Sequence, residues 1–246
     1  MDASPVVLVT GAARRVGAAI AREFHEAGAR VVIHYGRSRQ EAEYLVAELN
    51  GGRAASAAAV QGDLAAAPVA AQVMAATLGA FGRLDVLVNN ASSFFPTPLG
   101  EIGPTAWDDL MGSNLKGPFF LSQAAAPHLR ASGGAIVNIT DIHGERPLKG
   151  FPVYCAAKAG LIGLTRALAI ELAPAVRVNA VSPGPIEWPV HEDFPAAERA
   201  AIIDHTLLKR IGEPRDIARV VRFLALEAPY VTGQIIHVDG GRSAHL

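Results

Sequence analysis

The stretch Pro5-Val6-Val7-Leu8-Val9-Thr10-Gly11-Ala12-Ala13-Arg14-Arg15-Val16-Gly17 decides the fold. It begins with an apolar, β-branched run, which is typical of a strand buried on both faces of a parallel sheet. Glycines follow at Gly11 and Gly17, and a helical pattern then runs from Ala18 to Ala27 before Gly28. The stretch therefore predicts a strand, a glycine turn and a helix.

The same alternation continues along the chain, where apolar runs predict strands and amphipathic or Ala-rich segments predict helices. Such alternation indicates βαβ units with right-handed crossovers. We predict one α/β domain over residues 1–246, a doubly wound Rossmann-type fold whose parallel seven-stranded sheet is flanked by helices on both faces. The predicted strands cover residues 5–10, 31–35, 54–60, 84–91, 134–140, 176–181 and 234–238. The predicted helices cover residues 18–27, 40–49, 68–81, 105–130, 153–172 and 214–226.

Several helix boundaries depend on single residues. We expect the second helix to end at Asn50-Gly51-Gly52. In the long helix 105–130, Thr105 is the expected N-cap, Pro118 a kink and Pro127 the terminus. Residues 182–212 begin with a Pro-rich stretch, and we expect them to form a loop and helix insertion that binds substrate.

Composition excludes several classes of function. The chain has 246 residues, of which 50% are hydrophobic, and a formal net charge of -1, so it can bury a full core and has no basic stripe for nucleic acid. The apolar run after the first residues is too short for a membrane span or signal segment, and we expect a cytoplasmic protein without membrane contact. The single Cys155 excludes an internal disulfide, and the histidine spacing predicts no metal site.

The ends of the first two strands indicate a dinucleotide. Gly11 permits a tight bend, Gly17 permits close packing, and the N–H groups of the following helix can bind a pyrophosphate. The second strand ends without the acidic residue that usually bonds the ribose 2′-OH of NADH. Arg37 can instead pair with a 2′-phosphate and Arg14 can add a second charge, so NADPH is the predicted cofactor. A solvated Arg37 remains the alternative.

A phenol and an ammonium lie one helical turn apart in the predicted helix 153–172. Positions i and i+4 share a face, so Tyr154 and Lys158 can point into one cleft. A nearby ammonium favours phenolate, so we expect Lys158 to lower the pKa of Tyr154. The pair predicts a proton donor, with a solvated surface pair as the alternative.

Five motifs, spread over nearly the whole chain, resemble those of the short-chain dehydrogenase/reductase family. They are the glycine turn, Asn89-Asn90-Ala91, Tyr154-x-x-x-Lys158, Asn179-x-x-x-Pro183-Gly184 and Val238-Asp239-Gly240-Gly241. Within that family the chain resembles the pteridine reductases. That narrower resemblance rests on Arg15 in place of the usual middle glycine, His34-Tyr35-x-Arg37-Ser38, the segment from Asn90 to Pro98, and Asp141.

The resemblance implies roles for matching residues. Tyr154 would donate the proton, Lys158 would bind the nicotinamide ribose, Asn114 would help hold a water, and Asp141 would complete the catalytic set. The implied cofactor-binding residues are Gly11, Arg14, Arg15, Val16, Gly17, His34, Tyr35, Arg37, Ser38, Asp63, Leu64, Asn90, Ala91, Ser92, Tyr154, Lys158, Pro183 and Gly184. The implied substrate-binding residues are Arg15, Ser92, Phe94, Asp141, Tyr154 and Trp188. A homotetramer is also implied, with residues 242–246 near a neighbouring subunit.

Asp141 narrows the implied substrate. The ordinary family pattern has a serine there, which hydrogen-bonds a substrate carbonyl. An ionised carboxylate only accepts hydrogen bonds and would repel a developing alkoxide, whereas a pterin or folate offers N–H donors. We therefore expect an NADPH-dependent pterin or folate reductase, in which Phe94 stacks on the flat ring.

Alternatives remain at each of these positions. Asp141 can serve only as a turn or cap residue, Phe94 can pack a lid, and Trp188 can be a buried anchor. The chain can instead reduce a carbonyl, such as a 3-oxoacyl thioester or a sugar. A protein that binds a dinucleotide and has lost turnover is the alternative outside the enzymes.

Overall fold

The structure is a computed structural model, and it describes residues 4–66, 68–188 and 195–244. The described residues contain β1 Val6–Val9, β2 Arg30–Tyr35, β3 Ala57–Gln61, β4 Val86–Asn89, β5 Ala135–Ile139, β6 Arg177–Pro183 and β7 Ile235–Val238. These strands form one seven-stranded sheet in the order β3-β2-β1-β4-β5-β6-β7. All its neighbouring strands are parallel. The chain reverses its direction of winding between β1 and β4, where a doubly wound sheet binds its ligands.

Helices cover both faces of the sheet, which confirms the predicted fold class. They are α1 Arg15–Glu26, α2 Arg39–Gly52, α3 Val69–Phe81, α4 Pro104–Met111, α5 Gly117–Ser132, α6 Pro152–Leu172, α7 Ala196–Asp204 and α8 Pro214–Leu226. Of the described helices, α6 alone has the length and hydropathy of a membrane span, and half of its most apolar window is buried inside the domain.

The first strand shows why the sheet has a core on each face. Val7 and Val9 belong to one buried cluster with Phe24 of α1, whereas Val6 and Leu8 belong to a second cluster. Successive side chains of a strand point to opposite faces, so one apolar run supplies both cores. All four side chains of β1 are fully buried. The apolar run at the start of the chain therefore fixes the centre of the domain.

The second helix ends at Gly52, within the predicted stretch Asn50-Gly51-Gly52 but three residues beyond Leu49, the last residue of the predicted helix. Gly51 and Gly52 both remain in α2, and the helix ends where the backbone of Arg53 becomes extended. Asn50 does not stop the helix because its side chain binds the returning chain instead. Its Oδ1 accepts the N–H groups of Ser56 and Ala57, both at 2.9 Å.

The helix predicted over residues 105–130 is present as an unbroken helical run over residues 104–132, but a π-turn interrupts its α-helical pattern. Gly103 is the N-cap of α4 and Pro104 occupies its first turn, so Thr105 is not the cap. A π-helical segment, Gly112–Lys116, separates α4 from α5 and ends directly before Gly117 and Pro118. Pro118 has no N–H to donate to the preceding turn, and the extra residue of a π-turn accommodates that loss.

The sequence predicts that Pro127 ends the helix, but Pro127 lies inside α5. The helix continues to Ser132 and ends where Gly133 adopts a φ of 65°. A glycine in the left-handed region is a stronger stop signal than a proline here, because the proline removes one hydrogen bond while the left-handed residue redirects the chain.

Candidate active site

A cleft of about 1510 Å³ opens at the carboxyl ends of the strands, across the reversal between β1 and β4. Every residue of the predicted cofactor-binding set lines this cleft, and so does Asp141. Three predicted site residues, Asn114, Phe94 and Trp188, are not among its lining residues. The parallel sheet thus gathers residues from positions 11 to 184 at one edge, as the switch-point rule requires.

The glycine turn after β1 packs against the end of β4 without room for side chains. Gly11 has a φ of 60°, and a Cβ there would lie 2.8 Å from the Cα of Ala91. A Cβ on Gly17 would lie 2.4 Å from the carbonyl oxygen of Gly11. Thr10 tightens the same junction, since its Oγ1 accepts the N–H groups of Asn90 at 2.8 Å and Ala91 at 2.9 Å. The two strand ends therefore form one rigid wall.

This wall fits the pyrophosphate of a dinucleotide. The N-cap of α1 is Arg14, which makes no side-chain hydrogen bond to the first turn, so the N–H groups at the start of α1 are left for a ligand. Arg37 and Ser38 follow β2 and also line the cleft. The Arg14 guanidinium lies 3.4 Å from the Glu41 carboxylate. The residues present thus suit an anionic, dinucleotide-sized ligand.

The proton donor, the ammonium and the carboxylate meet at the end of β5. Tyr154 lies in the first turn of α6, and its hydroxyl donates to Asp141 Oδ2 at 2.7 Å. Asp141 Oδ1 accepts the N–H of His143 at 2.8 Å and thereby caps the short 3₁₀ turn Ile142–Gly144. Lys158 is buried one turn further along α6, and its Nζ donates to the carbonyl of Ile139 at 3.0 Å. Asp141 therefore caps a turn and contacts Tyr154 at once.

The expected lowering of the Tyr154 pKa by Lys158 is wrong. Burial, followed by the charge and hydrogen bond of Asp141, raises the pKa of Tyr154 well above its usual value. The Lys158 ammonium is 5.7 Å from the ring centroid of Tyr154 and is directed to a carbonyl instead. Burial lowers the pKa of Lys158 itself to about 8, while Asp141 acts in the opposite direction. Tyr154 is therefore a phenol, which can give a proton.

Asn114 is fully buried in the π-helical segment and supports the cleft wall from behind. Its Oδ1 accepts the hydroxyl of Ser92 at 2.7 Å, and its Nδ2 donates to the carbonyl of Ser93 at 2.9 Å. These bonds fix the segment that follows β4. The water predicted at Asn114 remains a prediction.

Phe94 and Trp188 lie next to other side chains. The Phe94 ring is stacked on Phe151, with 4.6 Å between centroids and 7° between planes, and it meets Tyr154 edge-on at 4.8 Å. Phe94 therefore stands beside the proton donor with one face covered. Trp188 packs under the guanidinium of Arg199 in α7, with 5.3 Å from Arg199 Cζ to the ring centroid.

Glu187, which the sequence does not predict as a site residue, binds Arg15 at the edge of the cleft. The Arg15 guanidinium donates to Glu187 Oε2 at 3.3 Å and to the Glu187 carbonyl at 2.9 Å. Both residues have positive φ values, 52° for Arg15 and 51° for Glu187. A pair separated by 172 positions leaves no local signal in the sequence.

A doubly wound sheet with a glycine turn, and a tyrosine and lysine at its switch point, defines a dinucleotide-dependent oxidoreductase. A family model described as enoyl-(acyl carrier protein) reductase matches residues 11–243. The 3-oxoacyl-(acyl-carrier-protein) reductase FabG of Staphylococcus epidermidis is 39% identical over 237 residues, covering 95% of this chain and 97% of that protein. Pteridine reductase 1 of Leishmania tarentolae is 40% identical over 288 aligned positions, covering 98% of this chain and 96% of that protein. The chain belongs to the short-chain dehydrogenase/reductase family.

Proposed function

We propose that the protein is an NADPH-dependent reductase that acts on the ring of a pterin or folate. The observation that carries this proposal is the 2.7 Å hydrogen bond from the Tyr154 hydroxyl to Asp141. A carboxylate at this place accepts hydrogen bonds and offers none. It suits a substrate ring that presents N–H donors, and it disfavours a carbonyl oxygen that gains negative charge.

Each residue of the site has a role in this reaction. NADPH, when bound, supplies the hydride. Tyr154 is the proton donor, because burial and Asp141 keep its hydroxyl protonated. Asp141 is held by the N–H of His143, so it can orient a ring N–H without moving. Lys158 has its ammonium on the carbonyl of Ile139, lines the cleft, and would bind the nicotinamide ribose. The residues of this chain thus orient the substrate ring and the cofactor, and Tyr154 gives one proton to the substrate.

The preference for NADPH rests on the end of β2. Arg37 and Ser38 line the cleft directly after this strand, and the strand end contains no carboxylate to bond a ribose 2′-OH. A guanidinium and a hydroxyl together suit a 2′-phosphate. Arg14 also lines the cleft, paired with the Glu41 carboxylate at 3.4 Å, and would supply a second positive charge.

A second candidate is the reduction of a 3-oxoacyl thioester. It is favoured by the relatives named FabG, which match this chain about as well as the pteridine reductase does. In this reaction Tyr154 would protonate the developing alkoxide, and Asp141 would act only as the cap of the turn after β5. The two candidates thus differ in what they require of Asp141.

The test compares NADPH oxidation with dihydrobiopterin, dihydrofolate and an acetoacetyl thioester. We expect turnover of at least one pterin or folate and little of the thioester. The variant Asp141→Ser should lose most pterin turnover, and Asp141→Asn is its matched control because it keeps the size and the acceptor without the charge. Thioester turnover without any pterin turnover would establish the second candidate. NADPH binding without turnover of any of these substrates would indicate a binding protein.

A further inference from the structure

His34 is a buried histidine near the end of β2, the strand that lies between β1 and β3. Only 2% of its surface is exposed, so both ring nitrogens need partners inside the protein. The partners come from the two neighbouring strands. The N–H of Gly11, in the turn after β1, donates to Nδ1 at 3.2 Å, and Nε2 lies 3.0 Å from the carbonyl oxygen of Gly62, after β3.

These partners determine the tautomer of His34. Nδ1 receives a hydrogen bond and is therefore unprotonated, so the ring proton is on Nε2 and is donated to Gly62. Burial lowers the pKa of His34 to about 4, which keeps this neutral form at physiological pH. With both nitrogens engaged, the ring has no capacity left for proton transfer.

The two bonds lie just beyond the regular ladders of the sheet. The last registered pairs are Val9 with Ile33 and Tyr35 with Gln61, and after them the chains turn into the cleft wall. Gly62 also has no space for a side chain, since a Cβ there would lie 2.6 Å from Cγ1 of Val69. His34 therefore joins two tightly packed turns across the strand between them.

The two joined turns belong to different parts of the cleft. Gly11 opens the wall that suits a pyrophosphate, whereas Gly62 precedes Asp63 and Leu64 on the side expected to hold the adenine. The Gly11 N–H is directed to His34, so it is not one of the donors available to a phosphate. Backbone hydrogen bonds tie each turn to β2, from the Ala12 N–H to the His34 carbonyl at 2.9 Å and from the Gly62 N–H to the Tyr35 carbonyl at 3.0 Å. The imidazole adds a direct side-chain link between the two turns.

We propose that His34 is a positioning residue that fixes the distance between the pyrophosphate wall and the adenine wall of the cleft, and so selects a dinucleotide of the right span. This inference rests on the proposed NADPH site for its ligand, but the two hydrogen bonds can be tested without any ligand. Two substitutions test the two hydrogen bonds of His34 separately. His34→Asn keeps an acceptor near the position of Nδ1, and His34→Gln keeps a donor near the position of Nε2.

The first measurement is hydrogen exchange in the ligand-free protein. In His34→Gln, the peptide that contains Gly11 should exchange roughly five to ten times faster, because its N–H loses its acceptor. In His34→Asn it should exchange as in the parent chain. Equal acceleration in both variants would overturn the proposal. The controls are His25→Asn and His25→Gln, which change a histidine of α1 bonded to Ser56 and should leave the Gly11 peptide unchanged.

The second measurement is binding of NADPH and of adenosine 2′-phosphate, which lacks the pyrophosphate. We expect both variants to bind NADPH roughly five- to tenfold more weakly. Adenosine 2′-phosphate should bind His34→Gln within about twofold of the parent chain and His34→Asn more weakly, since only the latter frees the Gly62 turn. Parallel losses for both ligands would show a general structural role and overturn the proposal. A parent chain that binds neither ligand, with the exchange pattern intact, would refute the NADPH site and leave the link between the turns standing.

Discussion

The two halves of the cleft are built differently. In the cofactor half, formed by the turns after β1, β2 and β3 with the end of β4, the contacts that set the shape are made by backbone N–H groups, which donate to carbonyls and side chains of neighbouring strand ends. Gly11 donates its N–H to His34, and Thr10 receives two backbone N–H groups. In the substrate half, formed by residues 92–95, the end of β5, the start of α6 and residues 183–188, side chains bind one another. Tyr154 binds Asp141 and Phe94 stacks on Phe151.

This difference has a consequence for ligand binding. Backbone turns present the same surface before and after a ligand arrives, so the cofactor half is preorganised and loses little free energy on binding. Side chains that are paired with each other can change partners or accept a further hydrogen bond when a substrate enters. The substrate half therefore distinguishes between substrates by which of these side-chain contacts each substrate can replace. Substitutions in the two halves should accordingly have different effects on turnover and on cofactor binding.

The largest effect should come from the substrate half, with Tyr154→Phe. The variant keeps the ring beside Phe94 but loses the proton and the bond to Asp141, so kcat should fall by about 10³-fold. The dissociation constant for NADPH should stay within about twofold, because the cofactor wall is untouched. Single-turnover rates and fluorescence titration measure the two quantities. Tyr230→Phe, at a fully exposed tyrosine, is the matched control, and an unchanged rate in Tyr154→Phe would mean that another group donates the proton.

The next effect concerns Arg37, a charged side chain of the cofactor half. Arg37→Ala should weaken NADPH binding by about 10- to 100-fold, because it removes a charge-assisted contact to the 2′-phosphate. NADH lacks that phosphate, and its affinity should change by less than about twofold. Arg39→Ala is the control, since Arg39 pairs with Glu43 and does not line the cleft. Equal losses for both cofactors would show that Arg37 does not recognise the phosphate.

A smaller effect follows from the pKa of Lys158. Burial lowers this pKa to about 8, so the ammonium is present below that pH and is lost above it. Tyr154 stays protonated there because its pKa is raised. We expect kcat/KM to fall by about tenfold for each pH unit above the pKa of Lys158. Lys158→Arg keeps its charge and should remove this decline. A flat profile for the parent chain up to about pH 10 would contradict a role for the ammonium.

The contrast between the halves also explains what the sequence predicts. The strands and the cofactor wall follow from local patterns, since apolar runs such as Val6–Val9 are buried on both faces and Gly11 must adopt a positive φ. Helix ends were harder, because Asn50 binds a later strand and Gly133 overrides Pro127. Where these helices end depends on contacts between residues that come together only after folding.

The substrate half could be predicted only in part, for the same reason. Its residue types suggest the chemistry, but their partners lie elsewhere in the chain. The sequence indicates that Lys158 acts on Tyr154, whereas folding directs Lys158 to Ile139 and gives Tyr154 to Asp141. Phe94 is expected to stack on the substrate ring, and the contact that the sequence does not predict is Phe151, which covers one of its faces. Which of several possible partners each side chain binds is determined by the folded geometry, and spacing along the sequence does not predict it.

The smallest effect should come from the boundary between the halves, where Arg15 is held by Glu187. Their ion pair is about half exposed and should contribute about 0.2–1 kcal/mol, and a ligand phosphate that takes Arg15 must break it. Glu187→Gln should therefore tighten NADPH binding by about two- to fivefold, because the guanidinium is released while the carbonyl contact remains. Glu48→Gln breaks an ion pair of similar exposure outside the cleft and should change nothing. Weaker binding in Glu187→Gln would mean that the carboxylate belongs to the ligand site itself, and the substrate half would then extend across the mouth of the cleft.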